Sequence, residues 1–184
     1  EMDYRMSDLE KQQQTKDGAA FSLESYLQHY AKLIKGHTPP IEVFERQSRR
    51  EAEEFSNHGL ISPGAKVLDL GCGHGRQAIG MMEFGIGGYT GLDVIPESIE
   101  FCKTVFAAVP DFEFLHLDVK NKFYNPKGSQ LPEEVVFPVE SEAYDAVIAG
   151  SLFTHLGIRK VCDHYLEESY RVLRPGGRIF CSWF

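Results

Sequence analysis

The sequence predicts an α/β domain in which a mostly parallel sheet is wound with helices on both faces. Three observations carry this expectation. From Lys66 onward, short branched apolar segments alternate with stretches of helical periodicity. The first such segment runs straight into a glycine turn, VLDLGCGHGR, with three glycines in five residues. The next two segments also carry an aspartate at their ends, Asp93 and Asp118. That is the edge at which sheets of this class bind their ligands.

Taken in order, residues 1–20 are polar and weakly periodic and read as an arm without chemistry. Leu23, Leu27, Tyr30, Ala31 and Ile34 then fall on one helical face, and Gly36, Pro39 and Pro40 stop that helix. A second helix, about Ile41 to His58, buries Phe44, Ala52 and Phe55 and presents Arg46, Arg49 and Arg50 on a solvated face. After the turn at Ser62, Pro63 and Gly64, strands are expected at Lys66 to Leu70, Gly88 to Val94, Phe112 to Val119, Tyr144 to Gly150 and Arg178 to Phe184. Helices are expected at Arg76 to Phe84, closed by Gly85, from Pro96 to about Val109, and from about Ile158 to Leu173. The expected organisation is a helical arm or lid over residues 1–62 and one compact ligand-binding unit over 63–184.

Composition narrows the function. The 184 residues, 42% hydrophobic, suit one core, and the formal net charge of -8 disfavours nucleic acid and anionic lipid as partners. Cys72, Cys102, Cys162 and Cys181 lack metal or disulfide spacing and read as buried thiols of a reducing compartment. No long apolar span or leader pattern is present, so the expectation is a soluble cytoplasmic protein away from membranes. No carboxylate constellation suggests a metal. Oligomeric state is not legible.

The turn is chemically specific. A dinucleotide fingerprint, GxGxxG, would place its third glycine where Arg76 stands, whereas this spacing is GxGxG. Asp69, two residues before the first glycine, repels a pyrophosphate and suits a cationic amino-acid group. Asp93, roughly 20 residues beyond the turn, suits ribose hydroxyls; the competing role is an N-cap for the helix at Pro96. Asp118 suits an exocyclic amino group of adenine.

Together DLGCGHGR, GLDVIPESI, HLDV, YDAVIAGSLFTHL and the VLRPGG turn resemble, in that order, the motifs of class I S-adenosylmethionine-dependent methyltransferases, over about Lys66 to Phe184. The resemblance implies a Rossmann-like doubly wound sheet, with S-adenosyl-L-methionine as cofactor and S-adenosyl-L-homocysteine as product. It implies that Asp69, Gly71, Cys72, Gly73 and Gly75, with Arg76 at the helix start, hold the methionine part. Asp93 and Val94 would take the ribose, Asp118 and Val119 the adenine, and Gly150 and Ser151 would lie beside the sulfonium. Members of the family normally carry two further strands, the last antiparallel, which this sequence lacks. The SLFTHL segment and the insertion containing NPKG resemble bacterial members associated with sugars and surface polysaccharides.

The expected activity is therefore methyl transfer, by in-line displacement, to a hydroxyl of a small molecule or glycan, with His155 as general base. The structural alternative for His155 is a helix cap. His116 reads as a satisfied strand residue, His164 as a helix residue without a nameable partner, and His74 as a cover over the turn. In the long segment from Asn121 to Ala143, Tyr124, Asn125 and Lys127 are placed to meet the acceptor, with a partly ordered surface excursion as the alternative. Tyr26 and Tyr30 read as core or lid. A non-catalytic binding module and an N-methyltransferase remain as alternatives; the sequence IAGS at the fourth strand end departs from the Pro-Pro-aromatic run of base-nitrogen methyltransferases. Aminopropyl transfer ranks below these, because its enzymes carry a denser glycine turn.

Overall fold

The computed structural model describes residues 21–34 and 41–182, so the expected arm over 1–20 lies outside the described residues. Its elements are α1 (Leu23–Ile34), α2 (Ile41–Asn57), β1 (Lys66–Leu70), α3 (Arg76–Phe84), β2 (Gly88–Asp93), α4 (Pro96–Val105), β3 (Phe112–His116), β4 (Tyr144–Ala149), α5 (Phe153–Leu156), α6 (Arg159–Val172) and β5 (Leu173–Cys181). All neighbouring strands pair in parallel, in the order β3-β2-β1-β4-β5. The chain runs outward from β1 to β3, then crosses back to lay β4 on the other side of β1. The carboxyl ends of β1 and β4 therefore flank the topological switch point, where ligands of open α/β sheets bind.

Strand periodicity divides the core into two halves. Val67, Tyr89, Phe114, Ala146 and Ile148 pack on the face covered by α1 to α4. Leu68, Leu70, Leu92, Val147 and Ala149 pack on the other face, against Phe137, Val161, Tyr165 and Val172. Because side chains alternate along a strand, Asp69 shares the face of Val67 and is buried there. A carboxyl group in such a place needs a donor, and the Tyr89 hydroxyl supplies it.

Three expectations change. The third strand stops at His116, because Leu117 N donates to Asp93 O and the chain then leaves the sheet, with Val119 bridging to Gln130. Asp118 thus belongs to a loop and not to a strand end. The fifth strand starts at Leu173, and its pairing jumps from Leu173 opposite Tyr144 to Arg178 opposite Ala146, so the RPGG turn bulges out of the ladder. The short helix α5 was not expected. It follows Ser151, which holds a left-handed φ of 57°, a conformation that interrupts regular periodicity at that point.

The segment from Asn121 to Ala143 is strapped down along its second half. Phe137 N donates to Glu168 Oε2 at 2.8 Å, and Arg171 donates to the carbonyls of Phe137 and Val139 at 3.0 and 3.1 Å. His164 meets Val135 O at 2.7 Å, which gives this histidine a partner. His116 likewise meets Val94 O at 3.2 Å.

The packing of α2 on α3 depends on a missing side chain. A Cβ at Gly80 would stand 2.0 Å from Ser48 O, so only glycine lets the two helices approach this closely. Ion pairs flank the contact, with Arg49 Nε on Glu83 Oε2 at 2.6 Å and Arg76 Nη1 on Glu51 Oε1 at 2.7 Å. Arg49, expected on a solvated face, is therefore docked, whereas Arg50 pairs with Glu54 in solvent. Gly80→Ala is expected to lower unfolding free energy by roughly 1–3 kcal/mol, as overpacking does. Urea denaturation measures it, and an unchanged midpoint contradicts the close approach.

Candidate functional site

The glycine turn is built by backbone bonds to its neighbour strand. Gly71 N and Cys72 N both donate to Leu92 O, at 2.8 and 3.0 Å. The Asp93 carboxylate then closes the arrangement, with Oδ2 accepting from Gly73 N at 2.8 Å and Oδ1 from Ile95 N at 2.9 Å. Asp93 thus fixes the turn instead of capping α4, whose N-cap residue Ile95 makes no side-chain bond. Gly71, Gly73 and Gly75 all hold left-handed φ angles, of 78°, 53° and 78°. At Gly75 the requirement is doubled, because a Cβ would come within 2.8 Å of the Phe106 ring. From above, α1 presses on the turn: the Tyr26 hydroxyl donates to His74 O at 2.7 Å, and the Tyr30 and His74 rings meet edge-on at 5.3 Å.

Two cavities open beside this turn and share Gly71 and Gly150 as common wall. The first, about 290 Å³, is mainly apolar, with Leu92, Val94, Ile95, Leu117, Val119 and Leu152 in its walls and Asp93 beside them. Lys120, Tyr124, Ser151 and His155 also line it, and the Tyr124 and His155 rings meet edge-on at 5.6 Å. The second, about 240 Å³, is polar, lined by Asp69, Cys72, Gly73, His74, Arg76 and Gln77 beneath Tyr26 and Tyr30. A third cavity of about 440 Å³ lies at the opposite edge of the sheet, around Lys66, Gly88 and Asp111. None of the expected site residues lines it.

Most expected site residues meet here. Asp69, Gly71, Cys72, Gly73, Arg76, Asp93, Val94, Val119, Gly150, Ser151 and His155 all line the joined cavities. Two do not. Gly75 faces Phe106 and Cys102. Asp118 is turned into its own loop, where Oδ2 accepts from Ser129 Oγ at 2.6 Å and Ser129 N at 3.3 Å, and Oδ1 accepts from Asn125 Nδ2 at 3.1 Å. These bonds, the Ser129 hydroxyl foremost, hold its pKa below the usual carboxylate value. Asn125, expected toward an acceptor, is therefore a loop anchor. Sequence reasoning missed the apolar lining from Ile95, Leu117 and Leu152, which follows from strand-end position, and Gln77, which no pattern marked.

A family model described as a methyltransferase domain matches residues 68–181. An O-methyltransferase of Pyrenophora dematioidea is 26% identical over 140 residues, which is 76% of this chain and 47% of that protein. A demethylmenaquinone methyltransferase of Staphylococcus epidermidis is 29% identical over 125 residues, 66% of this chain and 44% of that protein. The chain thus spans less than half the length of these curated relatives. Among solved structures, an S-adenosylmethionine-dependent methyltransferase of Methanosarcina mazei superposes with a TM-score of 0.52 at 19% identity, covering 67% of this chain and 54% of that one. At that identity the likeness concerns the fold.

Burial sets the protonation of the polar cavity. Burial raises the Asp69 carboxyl from 3.8 to about 7, against the Tyr89 hydrogen bond, and the charges of Asp93 and Glu51 push the same way. Burial also raises the phenols of Tyr26 and Tyr89, which remain protonated donors, and lowers His74, which is neutral at pH 7. The thiol of Cys72 is raised by its hydrogen bond to Cys102 and by burial, so it lines the cavity as a thiol. The folded protein holds a proton on Asp69 that the unfolded chain releases from about pH 4 upward. Stability from this carboxyl is present below that point and is lost as pH rises to about 7. Between about pH 4.5 and about pH 7.5, Asp69→Asn should gain stability relative to wild type by up to roughly 4 kcal/mol in urea unfolding. A pH-independent difference would refute the raised value.

Proposed function

The chain belongs to the methyltransferase domain family, and on that premise we propose that it binds S-adenosylmethionine across the joined cavities and methylates a hydroxyl of a small-molecule or glycan acceptor. The observation that carries this reading is the glycine-rich turn at the switch point, with an apolar slot on one side and a polar pocket on the other. The parts of the cofactor differ in the same way: a flat nucleoside, a sulfonium, and an amino-acid end. The donor set fits the group.

When bound, the cofactor supplies a methyl group on a positively charged sulfur, whose departure as a thioether leaves no charge to stabilise. The chain's residues therefore bind and align. Val94, Ile95, Leu117 and Val119 give apolar walls for the purine; Asp118, bonded within its loop, leaves that task to them. Each Asp93 oxygen accepts one backbone N–H and keeps lone-pair capacity for a ribose hydroxyl. Gly71 and Gly150 bound both cavities, so no side chain stands where the two ends of the ligand join. Asp69 and Arg76 face the amino-acid end.

His155, exposed on the rim and braced by the Tyr124 ring, is positioned to take the proton of an acceptor hydroxyl. Alignment supplies ~7–11 kcal/mol of barrier lowering and a base contributes ~100- to 10,000-fold in rate. The net charge of -8 argues for an uncharged or small acceptor over nucleic acid. No described helix is long and apolar enough to cross a membrane, and a cytoplasmic location is part of the proposal. The likeness of SLFTHL to sugar-associated members ranks saccharides first among acceptors to be screened.

Titration calorimetry with S-adenosylhomocysteine tests the binding half. Asp93→Ala, checked for folding by circular dichroism, should lose at least about tenfold in affinity, since each tenfold is about 1.4 kcal/mol; equal affinity argues against the site. In a screen of sugar and phenolic acceptors that detects demethylated cofactor, His155→Ala should turn over at least about tenfold slower than wild type. A smaller loss removes His155 as base.

A further inference from the structure

We propose that the ion pair between Arg76 and Glu51 is a receptor for the two charges of an α-amino acid, with Arg76 donating to the carboxylate and Glu51 Oε2 accepting from the ammonium. This rests on the proposed binding of S-adenosylmethionine and adds to it a residue of α2, outside the family-matched residues 68–181.

Glu51 Oε1 accepts from Arg76 Nη1 at 2.7 Å. Its other oxygen, Oε2, is buried and has no hydrogen-bond partner among the described residues. A buried carboxylate oxygen without a donor is a standing cost, relieved when a donor arrives. The polar cavity adjoins this pair through Arg76, which forms part of its wall and is held by Glu51. Arg76 retains donors beyond Nη1 in the fixed fork of its guanidinium. It is also the first residue of α3, where the helix dipole favours a carboxylate.

The helix contact sets this pair in register. Arg76 and Gly80 are four residues apart on α3, and Ser48 and Glu51 three apart on α2, so each couple shares one helix face. The close approach of Gly80 to Ser48 O brings Glu51 opposite Arg76. An opposite-charge pair holds an isolated anion or cation poorly, because each member already cancels the other. It matches a zwitterion, whose charges lie side by side in the reverse order. The charge of Glu51 also reaches Asp69, a carboxyl that lines the pocket.

The experiment compares S-adenosylhomocysteine with 5′-methylthioadenosine, which has the same nucleoside and sulfur and no amino acid. Calorimetry on the 184-residue chain should show the first at least about tenfold tighter, and Glu51→Gln should weaken it about tenfold while shifting methylthioadenosine by less than about threefold. Equal losses for both compounds would make Glu51 a mere support of the pocket, and no loss for either would leave it without a role; each overturns the proposal. A wild-type chain that binds neither compound overturns the cleft reading itself, a distinct outcome. A measurement independent of any variant uses the deaminated analogue of S-adenosylhomocysteine, expected to bind wild type at least about tenfold more weakly than the parent; equal binding also overturns the proposal.

Discussion

One carboxylate holds the ligand edge together: Asp93 accepts the N–H of Gly73 in the turn after β1 and the N–H of Ile95 at the entry to α4. A turn with left-handed residues at alternate positions cannot form a helix or a strand, and within it a single backbone bond forms, from Gly75 N to Cys72 O. The turn therefore borrows its order from β2, through Leu92 O and the Asp93 side chain. Because β1 and β2 are paired with Leu70 opposite Leu92, the strand that ends in the turn and the strand that secures it finish at the same level. A change at Asp93 is thus felt in the wall of the slot and in the shape of the turn together.

The two faces of the sheet divide the chemistry. On one face, α1 to α4 pack around Val67 and Tyr89, with Asp69 buried against a phenol donor and Arg76 and Glu51 paired and half-buried. On the other face the core continues into the slot, whose walls are mainly apolar with Asp93 beside them, and Tyr124 and His155 meet at its rim. A ligand that reaches both must itself be apolar at one end and charged at the other.

Much of this was legible in the sequence because it rests on local rules. The strand before the turn, the helix closed by Gly85 and the Pro96 start are set by near neighbours, and the observed bounds of β1 and α3 match the expected ones. What periodicity could not reach were bonds across long separations. Asp118 reads in the sequence much as Asp93 does, yet Asn125 and Ser129 capture its carboxylate; no spacing rule says which of the two will be captured by its own loop. Arg49 read as solvated because its partner Glu83 belongs to another helix. Glu51 drew no notice for the same reason.

The capture of Asp118 has a consequence for how such a chain diversifies. Lys120 N bonds to Gln130 O and Gln130 N to Asp118 O, so the intervening stretch is tied at its base and presents Tyr124 at the rim without help from the sheet. It is a cassette: a differently sized or differently charged segment can be grafted between the same two ends, reshaping the rim of the slot while the glycine turn on the far side of Gly71 stays untouched. The outline of the rim and the order of the turn are then separately evolvable, and separately open to engineering.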